Sequence, residues 1–368
     1  PHSFTGENVV ELHCHGSRAV VLSLIRAATG IEGVRLAIAG EFTRRAFENG
    51  KLDLAAIEGL ADLLEAETEA QRKQAFAQFS GLLGAATERL RGPLIEALAL
   101  IEASIDFADE DDVLERAVPA VLAMVDSAAK EINDLLTEAD RGEMVRAGLI
   151  IAIAGPPNAG KSTLMNALAK RDVAIVSPVA GTTRDLLEVR LDLGGVAAIL
   201  VDMAGLRESA DPIEQEGVRR ARARLGDADL VLWLSEAGEE PEGLLQPGKA
   251  VWRVKTKVDL SPEVKPGWMA LSVLRGDELS GLVDKLVEFA RDQVAGEPPI
   301  LVRERHRVVF AEILRSLNEA RAVSDWVAEP EIVAEHIRHA VYALGRATGR
   351  VGVEEVLDVV FSSFCIGK

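Results

Sequence analysis

Apolar residues recur along this chain with two different spacings, and each spacing predicts its own kind of secondary structure. In residues 42–106 they fall every three or four positions, which is the period of an amphipathic helix. The same period returns in residues 118–139, 301–327 and 331–347. Gly92-Pro93 is expected to separate two of these helices, because proline suits a first helical position.

Between residues 148 and 296, short apolar and β-branched runs alternate with helical segments. The predicted strands are 149–154, 188–193, 197–201, 230–234 and 250–254, and the predicted helices are 212–225 and 279–294. This alternation favours an α/β fold, a mostly parallel sheet with helices on both faces. Helical segments precede and follow it. We therefore predict that the α/β part is inserted in an all-α helical-bundle domain; two independent bundles are the alternative.

Four segments follow from these patterns. Residues 1–40 combine a strand-like run at 9–12 with a helix at 17–28 and form a small α/β part. The helical domain comprises 41–147 and 298–368, and the inserted domain is 148–297. Because the first residues, PHSFTGENVVEL, look like the inside of a folded unit, we expect that an N-terminal part of the first domain is missing from this chain.

The formal net charge of −18 narrows the functions open to the chain. It disfavours indiscriminate nucleic-acid coating, because neutralising phosphates takes an excess of lysine and arginine. The two cysteines, Cys14 and Cys365, lie near opposite ends, which favours a reducing compartment over a disulfide framework. No apolar run has membrane-spanning length. We predict a cytoplasmic protein with no membrane contact.

Two clusters have both a metal-binding and a structural interpretation. His13, Cys14 and His15 are possible metal ligands, but alternate residues of a strand face opposite sides, so ordinary strand packing is favoured. Residues 109–112 are four consecutive carboxylates that could bind a divalent cation. We favour a solvated loop for them.

The stretch IIAIAGPPNAGKST at 150–163 carries the most specific motif. An apolar run leads into Gly155, and Gly160, Lys161 and Ser162 follow at the G-x-x-x-x-G-K-[ST] spacing of a phosphate-binding loop. In such a loop the backbone N–H groups point at the β-phosphate, the lysine reaches the β- and γ-phosphate oxygens, and the serine hydroxyl can bind Mg²⁺. The motif predicts a nucleoside triphosphate site.

Three further segments lie where a GTP hydrolase needs them. The GTTRD sequence at 181–185 can close over the γ-phosphate as a switch. Asp202 ends an apolar strand and would lie beside the metal, and Gly205 follows near the γ-phosphate. Lys257-Val258-Asp259 ends another strand, and its carboxylate can pair with the N1 and N2 donors of guanine. Residues 271–273 would form the backbone loop near the base oxygen.

The group that activates water is less clear from the motifs. Leu206 follows Gly205, where Ras-like proteins have a glutamine that orients the attacking water. Arg207 and Glu214 are the two candidates downstream. Residues 211–214, DPIE, also fit a helix N-cap, a proline at the first position and a capping glutamate. From the residues alone, this structural interpretation of Glu214 has the advantage.

These motifs, with FTGENVVEL at 4–12, GEFTRRAFENGKLDL at 40–54 and the terminal FCIGK, closely resemble the MnmE (TrmE) family of tRNA-modification GTPases over essentially the whole chain. The resemblance implies a folate-binding N-terminal domain, a two-segment helical domain and an inserted GTPase domain. It also implies a K⁺-activated homodimer that acts on tRNA with an FAD-containing MnmG-type partner. The implied product carries an aminomethyl or carboxymethylaminomethyl group at C5 of the wobble uridine, U34.

The resemblance also implies roles for individual residues. The implied ligands are Ser162 and Thr183 for Mg²⁺, Asn158, Ser177, Val179 and Thr182 for K⁺, and Glu11, Lys51 and Lys368 for 5-formyl-tetrahydrofolate or a related folate. Glu214 would act on the attacking water, which reverses the preference stated above, and Arg207 stays a second catalytic candidate. Cys365 would serve the modification and not GTP hydrolysis; a free thiol on a frayed tail is its alternative.

The predicted GTP-binding set joins the motif residues with those that the resemblance implies. It comprises Asn158, Ala159, Gly160, Lys161, Ser162, Thr163, Ser177, Pro178, Val179, Ala180, Gly181, Thr182, Thr183, Asp202, Met203, Ala204, Gly205, Thr256, Lys257, Val258, Asp259, Ser272, Val273 and Leu274. The chain departs from the family at Thr256, where an asparagine is usual, at Met203, where a threonine is usual, and at Val273-Leu274. Thr256 weakens or removes one base contact, so guanine selectivity is less firmly predicted than nucleotide binding.

Two other functions are alternatives. A ribosome-assembly or other regulatory GTPase switch usually carries a basic RNA-binding domain downstream, whereas the downstream segment here has Arg303, Arg305 and Arg307 as its dense basic cluster. An ATPase is the third interpretation, and it rests on Thr256. Competition between GTP and ATP would separate it from the first two.

Overall fold

The computed structural model describes residues 2–106, 113–175, 188–203, 226–240 and 248–349. These residues group into two compact units. The first lies within Pro1–Glu65, Gln74–Gly142 and Pro298–Lys368, and the second within Ala66–Lys73 and Glu143–Glu297. Each unit has its own hydrophobic core, as expected for a chain that exceeds the usual size of a single core.

Helices make up most of the described secondary structure. In chain order they are α1 (Arg18–Thr29), α2 (Glu41–Glu48), α3 (Leu54–Glu65), α4 (Glu69–Phe79), α5 (Leu82–Asp106), α6 (Val113–Thr137), α7 (Ala139–Ala147), α8 (Lys161–Leu168), α9 (Gly276–Gln293), α10 (Glu304–Ala322) and α11 (Pro330–Ala347). Among the described residues, none of these helices is both long and apolar enough to cross a bilayer.

The first unit has a helical core whose buried positions follow the predicted period. On α5 the buried face carries Leu83, Leu90, Leu94, Ala97 and Ile101. These side chains pack in one cluster with apolar residues of α6, α10 and α11. The helical periodicity predicted for these segments is confirmed, because the residues spaced three or four apart are the ones removed from water.

The predicted helix boundary at Gly92-Pro93 is wrong. The helix α5 continues through Pro93, which is exposed on its outer side. Proline removes one backbone hydrogen bond from a helix interior, at a cost of about 3 kcal/mol. Leu90 and Leu94 flank it and are both buried in the core. Burial on the opposite face therefore outweighs the local preference of proline.

The strand predicted at 9–12 is also wrong. The structure has no strand there, and Val10 and Leu12 are 88% and 66% exposed. A strand needs a neighbouring strand to bond its backbone, and within residues 2–40 the structure forms none. The predicted helix is present as α1, which begins after Ser17, whose hydroxyl accepts the N–H of Val20. In the structure, residues 2–40 therefore contain a helix and no strand.

The second unit is built on one six-stranded sheet. Its strands are β1 (Leu149–Ala154), β2 (Glu188–Asp192), β3 (Ala197–Asp202), β4 (Leu230–Ser235), β5 (Ala250–Thr256) and β6 (Trp268–Leu271). The strand order is β2-β3-β1-β4-β5-β6, and only the β2–β3 pair is antiparallel. The mostly parallel sheet and its first five strands were predicted; β6 was not. The predicted helix at 212–225 lies outside the described residues.

The sheet places several loops at one edge. Five of its strands run parallel, so β1, β3, β5 and β6 end on the same side. In the pairing of β1 with β3, Ile153 lies opposite Asp202. Every residue of β4 is buried, which is typical of a central strand covered on both faces. Binding groups of open α/β sheets lie at this carboxyl edge.

Candidate functional site

A glycine-rich loop joins β1 to α8 at the carboxyl edge of the sheet. Its Gly155, Asn158 and Gly160 have φ angles of 146°, 62° and 90°, all in the region that favours glycine or asparagine. Gly160 is the residue immediately before α8, and as a glycine it has no side chain that could cap the helix. The N–H groups of the first turn of α8 are thus free to face an anion.

Gly155 is required by the closeness of β4. A β carbon at this position would lie 2.0 Å from the backbone oxygen of Leu234. Real side chains do not approach a backbone so closely, so any other residue would push the loop away from the sheet. The first glycine of the motif therefore fixes where the loop leaves β1.

Lys161 folds back over this loop. Its Nζ atom donates hydrogen bonds to the backbone oxygens of Gly155, at 2.9 Å, and Pro156, at 3.0 Å. Burial lowers the pKa of Lys161, and the negative charge of Asp202 opposes that shift. The ammonium group is therefore held within the loop by neutral oxygens, which the oxygens of a phosphate can replace.

Ser162 and Asp202 form the acidic side of the site. The Ser162 hydroxyl donates to Oδ2 of Asp202 at 3.2 Å, and Asp202 is 2% exposed. Its second oxygen, Oδ1, is buried and has no hydrogen-bond partner among the described residues. Leaving a buried carboxylate oxygen without a partner is unfavourable.

This pair fits a Mg²⁺ ion, which prefers oxygen ligands. The hydroxyl of Ser162 would hold the ion, and the carboxylate of Asp202 would supply the nearby negative charge. A bound Mg²⁺ would neutralise part of the charge of the phosphates. Thr183, the other predicted ligand, lies outside the described residues.

A second group of predicted residues lies where β5 and β6 end. Thr256 is the last residue of β5 and is 4% exposed, and its Oγ1 has no partner in the described part of the chain. Lys257 has a φ angle of 54°, and its Nζ lies 2.5 Å from a carboxylate oxygen of Glu236. The Ser272 side chain holds the pKa of Asp259 below its ordinary value, which keeps this carboxylate ionised.

The side chains of Asp259 and Ser272 therefore lie near each other, after the ends of β5 and β6. Val273 is half-buried after Ser272, and Leu274 is 85% exposed. Sequence reasoning missed Lys255, a buried lysine on β5, and Glu236. The charge of Lys255 within a mostly apolar strand was the available signal.

Several predicted site residues fall outside the described part of the chain. They are Ser177, Pro178, Val179, Ala180, Gly181, Thr182, Thr183, Ala204, Gly205, Arg207, Glu214, Cys365 and Lys368. Of the predicted folate residues, Glu11 and Lys51 are both exposed. The acidic run 109–112 is likewise outside the described residues.

A phosphate-binding loop after the first strand of a mostly parallel sheet defines a P-loop nucleoside-triphosphate-binding protein. The MnmE helical domain family matches residues 54–365, and the family described as the GTP-binding protein TrmE N-terminus matches residues 1–51. The chain belongs to the tRNA modification GTPase MnmE family. The predicted resemblance is confirmed, and with it the prediction of a GTP hydrolase of a tRNA-modification family.

Members of this family match the chain from end to end. The tRNA modification GTPase MnmE of Rhodopseudomonas palustris is 50% identical over 375 residues, covering 100% of this chain and 84% of the relative. That of Azorhizobium caulinodans is 50% identical over 369 residues, with the same coverage. A crystal structure of Aquifex aeolicus Era bound to GDP and AlF₄⁻ is 26% identical and covers 45% of this chain and 66% of Era. Its TM-score is 0.31.

Proposed function

We propose that this chain hydrolyses GTP to drive the conformational changes that C5 modification of tRNA wobble uridine, U34, requires. The observation that carries the proposal is the phosphate loop, in which Lys161 folds over the loop and Ser162 is hydrogen-bonded to Asp202. This loop belongs to a chain that is 50% identical to a tRNA modification GTPase. The group added would be aminomethyl or carboxymethylaminomethyl. An FAD-containing MnmG-type protein would be the partner.

The residues of the loop have distinct tasks in this proposal. Backbone N–H groups before and within the first turn of α8 bind the β-phosphate, and Lys161 exchanges its bonds to Gly155 and Pro156 for phosphate oxygens. The carboxylate of Asp259 pairs with the N1 and N2 donors of guanine, beside Ser272. Glu214 acts on the attacking water, with Arg207 as the second candidate, and Cys365 serves the modification.

We also propose that a K⁺ ion completes the charge balance at the phosphates. Asn158 is exposed in the loop with a φ angle of 62°, so its amide oxygen is available as a ligand. Ser177, Val179 and Thr182 would complete the site. A cation placed against the phosphates stabilises negative charge that develops during hydrolysis.

The K⁺ dependence gives a direct test. The wild-type GTPase rate is expected to be at least about tenfold higher in KCl than in NaCl at equal ionic strength, because one well-placed charge is worth several kcal/mol. Asn158→Ala should lose this stimulation and keep its GDP affinity within about twofold. Asn166→Ala, an exposed asparagine on α8, is the matched control and should respond to K⁺ like the wild type. Stimulation retained by Asn158→Ala would contradict the K⁺ site.

The tRNA role has a test of its own. Mass spectrometry of wobble uridines from cells lacking this protein should show loss of the C5 modification, and the wild-type gene should restore it. Cys365→Ser should hydrolyse GTP and fail to restore it. Wobble uridines that stay fully modified in its absence would point instead to a regulatory GTPase, such as one acting in ribosome assembly.

The remaining parts of the proposal concern architecture and partners. The grouping of residues 143–297 between two segments of the helical unit supports insertion of the GTPase domain in the helical domain. The match of residues 1–51 to the TrmE N-terminus supports a folate site that includes Glu11, Lys51 and Lys368. Family membership supports a cytoplasmic homodimer that uses Mg²⁺.

A further inference from the structure

The strand β5 carries a charged side chain in its buried half. Lys255 is only 8% exposed, and its neighbours Val254 and Thr256 are buried as well. Removing an ammonium group from water is unfavourable unless hydrogen-bond acceptors replace the lost water. A lysine buried at this place therefore needs specific partners.

Those partners belong to the segment that follows β5. The Nζ atom of Lys255 donates to the backbone oxygen of Glu263, at 2.5 Å, and to Oγ of Ser261, at 3.3 Å. Both acceptors are neutral oxygens. The side chain thus leaves the strand and reaches into residues 257–263, which we name the base loop because they include Asp259.

The base loop has different contacts at its start and beyond its turn, and Nζ of Lys257, at its start, lies 2.5 Å from a carboxylate oxygen of Glu236. The N–H groups of Leu260 and Ser261 donate to the backbone oxygen of Lys257, at 2.9 and 3.2 Å, which closes a tight turn around Asp259. Beyond the turn, residues 260–267 are exposed. Val258 is 4% exposed and anchors the start of the loop, so Lys255 supplies the inner support of the exposed part that follows it.

We propose that Lys255 is a positioning residue for base recognition. Its buried ammonium group holds the base loop in the conformation that presents the Asp259 carboxylate to guanine. This inference rests on the proposed role of Asp259. Without Lys255 the carboxylate would sample several positions, and the nucleotide would lose base-dependent affinity while the phosphate loop stayed intact.

The test compares two nucleotides that differ only at the base. IDP lacks the 2-amino group of GDP, so it offers the Asp259 carboxylate one donor fewer. Displacement of a fluorescent GDP analogue from the wild-type chain should give GDP a preference over IDP of about tenfold or more. In Lys255→Met we expect this preference to fall below about threefold. Lys255→Arg keeps the donors and should retain most of it.

A second lysine offers a matched control. The Nζ atom of Lys249, just before β5, donates to the backbone oxygen of Ala228 at 3.0 Å. Lys249→Met therefore removes the same kind of bond away from the base loop and should leave the GDP preference unchanged. A folded Lys255→Met with the wild-type preference would overturn the inference. If Lys255→Met shows no cooperative thermal transition, the variant is unfolded and Ser261→Ala, which removes one acceptor of Lys255, replaces it in the test. A preference for GDP over IDP that falls about twofold in Ser261→Ala supports the inference, and an unchanged preference overturns it.

Asp259→Asn separates this inference from the function on which it rests. If Asp259→Asn keeps the preference for GDP, the proposed base-pairing role of Asp259 is wrong. If Asp259→Asn loses the preference and Lys255→Met keeps it, the base role stands and only the positioning role of Lys255 is wrong. Loss of the preference in both variants, with Lys249→Met unaffected, supports both.

Discussion

Thr256 is the residue at which the proposed base site departs from the pattern of the family. It ends β5 beside Lys257 and is almost completely buried, yet its hydroxyl has no partner among the described residues. The family resemblance places an asparagine at this position, and an amide side chain both donates and accepts hydrogen bonds. In the proposed guanine site, the shorter threonine would therefore leave one polar contact unmade.

Restoring the longer side chain should therefore strengthen nucleotide binding. We expect Thr256→Asn to bind GDP about two- to tenfold more tightly than the wild type, which is the usual value of one hydrogen bond. Titration with a fluorescent GDP analogue measures the effect. Affinity in Thr256→Asn equal to that of the wild type would contradict the assignment of Thr256 to the base site.

The isosteric variant Thr256→Val is the control for this prediction. It removes the hydroxyl and keeps the shape of the side chain, so GDP affinity should stay within about twofold of the wild type. Its thermal stability should be equal or higher, because an unpartnered buried hydroxyl is costly. A large loss of affinity in Thr256→Val would show that the hydroxyl itself contacts the nucleotide.

Among the secondary-structure elements, the ones that the sequence predicts are those with a regular spacing or a run of apolar residues. The helices α5, α10 and α11 and the strands β1 to β5 were predictable because each carries a run or a regular spacing of apolar residues that the structure buries. The short strand β6 was missed although its sequence, WMAL, is an apolar run, because a run of four residues does not by itself distinguish a strand from other structure. At residues 9–12 the opposite error occurred, since an apolar run without a pairing partner does not form a strand.

The candidate site likewise has a part that the sequence predicts and a part that it does not. Its phosphate-binding half was predictable, because the spacing of Gly155, Gly160 and Lys161 specifies a backbone shape. The contacts of the base-binding half were not. Lys257 meets Glu236, a residue 21 positions earlier, because β4 and β5 are neighbours in the sheet. Such partners depend on strand order and not on any local pattern.

Across the molecule as a whole, a buried polar network links helices that are distant in sequence. The carboxylate of Glu58 on α3 accepts two hydrogen bonds from Arg305, at 3.1 and 2.8 Å, and lies 3.0 Å from Nε2 of His306 on α10. Arg305 also donates to the backbone oxygens of Arg346 and Ala347, at the end of α11. Glu58 and Arg305 therefore connect three elements of the helical unit.

Next to this network, Arg303 forms an ion pair with Asp62, whose atoms are 2.6 Å apart. Positively and negatively charged side chains therefore both lie near Glu58. Burial raises the pKa of Glu58, but the hydrogen bond with His306 and the charge of Arg305 outweigh it and lower the pKa to about 2. Burial also lowers the pKa of His306, and Glu58 opposes that shift. Both folded-state pKa values thus lie below the ordinary ones, and acid should destabilise the helical unit through both groups.

The pH dependence of Glu58→Gln tests this network. At neutral pH the variant should lower the free energy of unfolding by about 3–5 kcal/mol, because it leaves Arg305 without its buried partner charge. Glu58 stabilises the fold fully above its ordinary pKa of 4.5, and that contribution is lost as pH falls towards about 2. The gap between variant and wild type in urea unfolding should therefore be constant from pH 7 to 5 and narrow below that range.

A second variant separates the loss of the Glu58 network from the general effect of removing one negative charge. The chain has a formal net charge of −18, so acid relieves repulsion over the whole molecule, in wild type and variant nearly alike. Glu131→Gln, which breaks the exposed pair with Arg89, loses the same charge and should cost less than about 1 kcal/mol. If Glu58→Gln cost no more than Glu131→Gln at neutral pH, the ionised carboxylate would not hold these three helices together, and their packing would rest on the apolar core alone.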